Sequence, residues 1–366
     1  MTNKDSKKVR YAVVGAGNIA QVAVLPAFAH AKENSELVAL ISGDEEKRHE
    51  LGERYSINTV GDYEDFETVL ETARVDAVYI CTPNTKHLEF AVRAAERGVH
   101  VLCEKPLAMS VEDCQLIEQA CERNGVHLMV AYRLHFEEAN LKAIEVARSG
   151  KLGTPRLFSS FFSHVVRAGD IRREPEVGGG ASYDLGVYCI NAARNLFGAE
   201  PIEVFAHAIE KDGTDDTVTV LLKFPHDRLA HFCVSNSVAG VSSYRIAGDK
   251  GDLRLEPAFE YSEGNTQYLT IEEKTKEKSF KKSDQFAPEL VYFSRCILDG
   301  TSPEPSGEEG MLDIRVVEAI LASAHTGRPV TLPPYQRRTR PSRDQEIRKP
   351  PTSKPRTVNA PGPSVR

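Results

Sequence analysis

A six-residue segment near the start of the chain, Gly15-Ala16-Gly17-Asn18-Ile19-Ala20, restricts the possible folds more than any other feature. It closes a β-rich apolar run, VRYAVVG at 9–15, and opens a stretch of helical character. In that setting Gly15 permits a tight turn, Gly17 removes the Cβ that would collide with a diphosphate, and Ala20 keeps the helix close to the sheet. The free N–H groups at the helix start then suit an anion. The segment reads as the phosphate-binding turn of a dinucleotide fold, with Gly15, Gly17, Asn18 and Ile19 as contacts.

The chain of 366 residues allows two domains at about 150 residues each, and the sequence pattern changes once. Apolar runs at 36–42, 75–83, 99–106 and 126–132 alternate with helical stretches such as 84–97 and 110–124, the second capped by Ser110. Runs apolar on both faces belong to buried parallel strands. Residues 9–132 are expected to form a Rossmann-type, doubly wound parallel α/β sheet. After Tyr132 the apolar period becomes two, in RLFSSFFSHVV, EVFAHAIE, TVTVLLKF and LAHFCVSNSV. SYRIAG and DLRLEP read as a hairpin across Asp249-Lys250-Gly251. With helical stretches at 184–197, 287–298 and 308–324, residues 133–332 are expected to form an α+β domain with a mostly antiparallel open sheet, one face covered by helices.

Charge is distributed unevenly. The net charge is -7, yet residues 333–366 hold nine Lys/Arg against two Asp/Glu, so this segment is +7 and the remainder -14. Eight of its residues are proline and few are large and apolar, which predicts a disordered, solvated, basic Pro-rich tail. Tyr335 is its one aromatic residue, an argument against nucleic acid as a partner. The first eight residues form a short polar arm with no apolar anchor, so a bound cofactor is expected to exchange freely with solution. No apolar run approaches the roughly 18 residues of a membrane span. Seven cysteines without a C-x-x-C pair suggest reduced thiols, a cytoplasmic setting and no metal site.

Polar groups gather where parallel strands end, which is where open α/β sheets bind ligands. At the second strand end the position that would hydrogen-bond the ribose 2′-hydroxyl of NAD is Ser42, followed by Asp44, Lys47 and Arg48. A hydroxyl with two cations favours a 2′-phosphate, hence NADP(H) over NAD(H), with Ser42 and Lys47 as contacts and Asp44 as the competing NAD-type residue. Thr82, Pro83, Asn84 and His87 follow the next strand, and Glu104-Lys105-Pro106 the one after; all are candidates to line the cofactor cleft. Lys105 follows an apolar strand, where an unpaired charge is costly. In the segment Gly178–Gly198, Asp184 and Tyr188 stand four apart after three glycines whose backbone could approach a ligand.

The combination of VVGAGNIA, CTPNTKH, EKP, YRLHF and GGGASYDLGVYCINAARNLFGAEPIEV resembles the glucose-fructose oxidoreductase, inositol dehydrogenase and rhizopine-catabolism (Gfo/Idh/MocA) family, nearest its glucose-fructose oxidoreductase branch, over about Val9 to Leu332. The resemblance implies an NAD(P)-dependent oxidoreductase moving hydride between nicotinamide and a sugar, polyol or related substrate, and a homo-oligomer built by the second domain. It makes Lys105 the catalytic lysine, Asp184 the family aspartate and Tyr188 the proton carrier. Relatives often carry Trp-Arg ahead of the glycines. This chain has no tryptophan and reads Asp170-Ile171-Arg172-Arg173 there, leaving Arg173 and Arg133 as candidate substrate contacts. Two alternatives stand beside this reading: a catalytically silent NAD(P)-binding sensor, and a dehydrogenase of the same fold acting on a non-sugar compound such as an aromatic dihydrodiol.

Overall fold

The computed structural model describes residues 7–337 and 339–364; Met1–Ser6 of the expected arm lie outside them. Six parallel strands form the first sheet: β1 (Val9–Val14), β2 (Ser35–Ile41), β3 (Thr59–Gly61), β4 (Ala77–Ile80), β5 (His100–Glu104) and β6 (Leu128–Ala131). Their order is β3-β2-β1-β4-β5-β6, the doubly wound arrangement. Alternate residues of each strand enter opposite cores. Val9, Tyr11 and Val13 join Phe28, Leu51 and Leu290 on one face, while Ala12 and Val14 join Phe66, Phe90 and Ile117 on the other. Burying each large aliphatic or aromatic side chain contributes about 1.5–3 kcal/mol, so the two-sided sheet anchors this half. Ser110 caps its helix as expected, accepting from Asp113 N at 3.0 Å.

A late helix also covers this sheet. Ala287–Asp299 lies within the segment assigned from sequence to the second domain, yet it packs Leu290, Val291 and Phe293 on the β1 face. Tyr11 Oη lies 2.8 Å from Ser294 Oγ, and Asn34 donates to Val291 O at 2.9 Å. The apolar stripe of the helix and the bare face of β1 complement each other, and contiguity along the chain does not decide the pairing.

The second sheet comprises β7 (Pro155–Ser163), β8 (Glu203–Lys211), β9 (Thr214–Phe224), β10 (Arg228–Ser235), β11 (Val241–Gly248), β12 (Gly251–Glu256), β13 (Asn265–Ile271), β14 (Lys274–Phe280) and β15 (Val330–Thr331). Their order is β14-β13-β12-β11-β7-β10-β9-β8-β15, and only the β7–β10 pair is parallel. Helices Val187–Phe197 and Gly307–Thr326 cover one face. The other face leaves Leu157, Ile209, Leu221 and Leu229 exposed. The β11–β12 hairpin matches the sequence reading. The β13–β14 hairpin escaped it, because β14 reads KTKEKSF and is exposed along nearly its whole length. Among the described residues no helix is long and apolar enough to cross a membrane, and all seven cysteines are free.

The disordered-tail expectation is corrected. The C-terminal segment lies along the body, held mainly by charge, with Val358 buried in the core on one face of the first sheet. Arg337 is buried against Glu304 and Glu309, Arg340 pairs with Glu200 at 2.7 Å, Arg343 with Glu145 at 3.6 Å and Arg348 with Glu138 at 2.7 Å. Burial opposes ionisation of Glu309, but Arg194, Arg337 and His135 outweigh it and hold this carboxyl well below the usual range. The acidic excess of the body is therefore met in part by the basic segment of the same chain. Removing one partner of a buried ion pair costs about 3–5 kcal/mol. Ending the chain after Leu332, or substituting Arg337→Met, is expected to destabilise the protein by about that amount in urea unfolding. Unchanged stability in both variants would show the segment to be energetically idle.

Candidate active site

The glycine turn is shaped from two sides. Gly15 has φ +94°, and a Cβ there would stand 2.8 Å from Cys81 C and O and 2.9 Å from Thr82 N, so only glycine lets the ends of β1 and β4 approach this closely. Gly17 faces open space, with nothing within 4 Å of a built Cβ. Asn18 opens a helical stretch running to His30, whose Ala20–Val24 part is π-helical. Thr82 Oγ1, at the end of β4, is buried without a hydrogen-bond partner among the described residues. A clear approach to Gly17 beside a helix start, with an unsatisfied hydroxyl nearby, fits a dinucleotide diphosphate.

At the end of β2, Ser42 is buried and its carbonyl accepts from Arg48, which also pairs with Asp62 at 2.7 Å. Asp44 caps the helix Glu45–Tyr55. Its Oδ1 accepts from Lys47 N at 3.1 Å and its Oδ2 lies 3.6 Å from Lys47 Nζ. The competing NAD-type carboxylate is thus committed to its own helix.

Three elements bring the catalytic candidates together. Lys105, just beyond β5, donates from Nζ to Asp184 Oδ1 at 3.0 Å and to Asp184 O at 2.8 Å, and Nζ stands 4.7 Å from the centroid of the Tyr188 ring. Asp184 sits in a π-helical turn, Ser182–Gly186, that leads into the helix bearing Tyr188. The second oxygen of Asp184 accepts from Arg172 Nε at 2.9 Å, with His164 Nε2 at 4.0 Å. Arg133 stacks on the Tyr188 ring at 5.1 Å and donates from Nη2 to Tyr188 Oη at 3.3 Å. Burial disfavours the Lys105 ammonium, yet Tyr188, Asp184 and Glu104 outweigh it and raise its pKa. Burial likewise opposes the Asp184 carboxylate, but Lys105, Arg172 and His164 hold it ionised, well below the usual carboxylate range. Asp184 accordingly fixes the cations around it and has no free oxygen with which to act as a base.

The other sequence candidates separate. Asn84 donates to Gly178 O at 2.8 Å and ties the β4 end to the glycine run, and Pro83 precedes it in that loop. His87 is fully buried, with Nδ1 2.8 Å from Pro106 O and Nε2 3.1 Å from Thr82 O; it braces two strand ends and does not face the cleft. Glu104 turns its carboxyl to Tyr79 Oη at 3.1 Å, which also lies 3.0 Å from Glu289. Burial raises both acids, and Glu104 supports Lys105 from behind. Arg173 points away, to Asp216 at 3.3 Å and Asn236 O at 2.9 Å, and its neighbour Arg172 reaches the site instead. The three glycines admit protein, not ligand. A Cβ on Gly178 would meet Met109 Sδ at 2.6 Å, on Gly179 Arg172 O at 2.8 Å, and on Gly180 Asp215 Oδ1 at 2.1 Å. Gly179 in particular lets the chain pass close beneath Arg172. His135, Glu304 and Glu309 form a buried set of metal-ligand type, but Arg194 and Arg337 already engage Glu309 Oε2, Asn191 and Asn195 donate to its Oε1, and Arg337 also engages Glu304.

Residues 9–132 match the model of the oxidoreductase family with an NAD-binding Rossmann fold, and residues 140–254 match the GFO/IDH/MocA C-terminal domain. A D-xylose 1-dehydrogenase [NADP(+)] of Haloarcula marismortui is 31% identical over 337 residues, covering 88% of this chain and 93% of that protein. The chain belongs to the Gfo/Idh/MocA family. An aldose-aldose oxidoreductase from Caulobacter crescentus, solved with glycerol, superposes with TM-score 0.85 at 35% identity, over 89% of this chain and 100% of its own. A 3-ketoreductase from Actinomadura kijaniata, solved with NADP and TDP-benzene, gives TM-score 0.81 at 26% identity, over 87% of this chain and 98% of its own. About a tenth of this Gfo/Idh/MocA chain lies outside each match. Like its family, it is an NAD(P)-dependent oxidoreductase. Asp184→Asn is expected to lower kcat by about a hundredfold or more and to move the alkaline limb of the pH profile to lower pH, because less negative charge then opposes the burial of Lys105. A limb that stays in place or rises would show that Asp184 does not set the charge of Lys105.

Proposed function

We propose that the chain is an NADP(H)-dependent oxidoreductase of a sugar or polyol, with Tyr188 carrying the proton and Lys105 and Arg133 stabilising the oxygen it leaves behind. The reading rests on one observation: Lys105, Asp184 and Tyr188 converge at the end of β5, two strands along the sheet from the strand that ends in the glycine turn, although 79 positions separate Lys105 from Asp184. Gly17, Thr82 and Ser42 line the path suited to NADP(H), and bound nicotinamide supplies or accepts the hydride at a carbinol carbon. The residues manage the remaining charge. Arg133 donates to Tyr188 Oη and so leaves the phenol hydrogen free for a substrate oxygen. During reduction of a carbonyl, Tyr188 gives its phenol hydrogen to the substrate oxygen while the Lys105 ammonium beside its ring favours the negative oxygen left on Tyr188, and oxidation of an alcohol runs the same transfer in reverse. Asp184, held by Arg172 and Lys105 together, keeps that ammonium charged and aimed. A catalytically silent sensor has no use for such a cluster.

With aldoses and polyols screened against both cofactors at the nicotinamide absorbance, Tyr188→Phe is expected to lower kcat about a hundredfold or more while NADPH affinity stays unchanged. Wild-type turnover on a good substrate would remove Tyr188 from the chemistry. The exposed sheet face carrying Leu157, Leu221 and Leu229 further supports a homo-oligomer assembled through it. Leu229→Glu is expected to shift the sedimentation coefficient toward that of a monomer, and a native-like assembly in this variant would place the contact elsewhere.

A further inference from the structure

The end of the chain reaches the cofactor cleft. Gln21, fully buried beside the glycine turn, clamps Val358 through both backbone groups, accepting from its N–H at 2.7 Å and donating to its carbonyl at 2.8 Å. Asn18, at the start of the phosphate-binding helix, donates to Ala360 O at 3.0 Å. Asn359 between them donates to Glu46 Oε2 at 2.7 Å and to Asp44 Oδ2 at 3.3 Å, at the β2 end that faces the ribose. The chain then crosses to the other domain, where Arg167 N donates to Pro363 O at 2.8 Å and Ser364 forms an antiparallel bridge with Val166. Val358 and Ala360 are buried, so the contact is packed as well as hydrogen-bonded. Residues 358–364 therefore run from the adenylate end of the cleft to the segment that carries Arg172.

We propose that the C-terminal segment 357–364 is an outer wall of the NADP site and that Asn359 is a determinant of which nucleotide the site holds. The proposal rests on the assignment of the glycine turn as the cofactor site. An NAD-selective site needs a carboxylate oxygen free to accept from the ribose 2′-hydroxyl. Here Lys47 occupies Asp44 Oδ1, and the Asn359 amide occupies Asp44 Oδ2 and Glu46 Oε2. The acceptors that would select NAD are thereby engaged within the protein. Because the wall is joined to both domains, nucleotide must pass it on entry and exit, and exchange is slow. This replaces the free exchange expected from the short amino-terminal arm.

The test compares the intact protein with a chain ended after Pro355, which keeps Arg337, Arg340 and the other ion pairs of the segment, and with Asn359→Ala in the full chain. NADPH dissociation is followed by stopped-flow fluorescence on displacement with excess NADP, and Kd values for NADPH and NADH are measured by calorimetry. Loss of the wall is expected to speed dissociation about tenfold or more, and Asn359→Ala to lower the ratio of NADH to NADPH dissociation constants about fivefold. Val358→Asp in the full chain repeats the first measurement should the shortened chain melt early. NADPH binding with unaltered dissociation in both wall variants overturns the wall, and an unaltered ratio in Asn359→Ala removes that residue from cofactor choice. Failure of every protein, intact included, to bind either nucleotide would instead overturn the cofactor assignment on which the proposal stands.

Discussion

The contact between Lys105 and Asp184 joins the two halves of this molecule at the carboxyl ends of the parallel strands. Lys105 ends a parallel strand of the first sheet, whereas Asp184 opens a helix that packs on the second, and each would be a costly partly buried charge without the other. The pair fixes the distance between the domains at the cleft. It also determines what the neighbours can do. Arg172 is drawn to the second oxygen of Asp184, the glycine run must pass closely beneath Arg172, and Tyr188, one helical turn on, comes to lie against the Lys105 ammonium.

A second charge network supports the first from a distance. Arg194, fully buried, engages Glu200, Glu309 and Asp313, while Arg337 from the C-terminal segment engages Glu304 and Glu309. Asn191 and Asn195, on the same helix as Tyr188, hydrogen-bond into this group. The helix that presents Tyr188 is thus fixed at its far end by charges that include the C-terminal segment. Fixing the helix of Tyr188 through buried ion pairs holds its side chains within hydrogen-bond reach of Arg133 and close to Lys105.

Much of the fold is legible in the sequence because its signals are local. Strands apolar on both faces can be satisfied only between helices, and Gly15 cannot carry a side chain against Cys81 and Thr82. Ser110 caps its helix through a hydrogen bond three residues away. Other features resist reading for equally physical reasons. Nothing in the order of Arg172 and Arg173 says which one a tight turn will aim at Asp184. β14 has the composition of a loop because one side of a sheet edge and most of its side chains meet water. The tail has few of the apolar residues that announce docking, and most of its partners are carboxylates far away in the chain, such as Glu138, Glu200, Glu304 and Glu309.

The sequence by itself determined the two kinds of sheet and the glycine turn and singled out Lys105, Asp184 and Tyr188 as candidates, since each depends on periodicity, backbone freedom or a short motif. Tertiary structure alone decided that His87 and Arg173 are braces, that Arg172 and Arg133 engage Asp184 and Tyr188, and that residues 358–360 lie against Asn18 and Gln21 beside the glycine turn. Those outcomes follow from charges that meet only after the chain has closed, when burial removes the water that would otherwise satisfy them and leaves each charged group to find its partner within the protein.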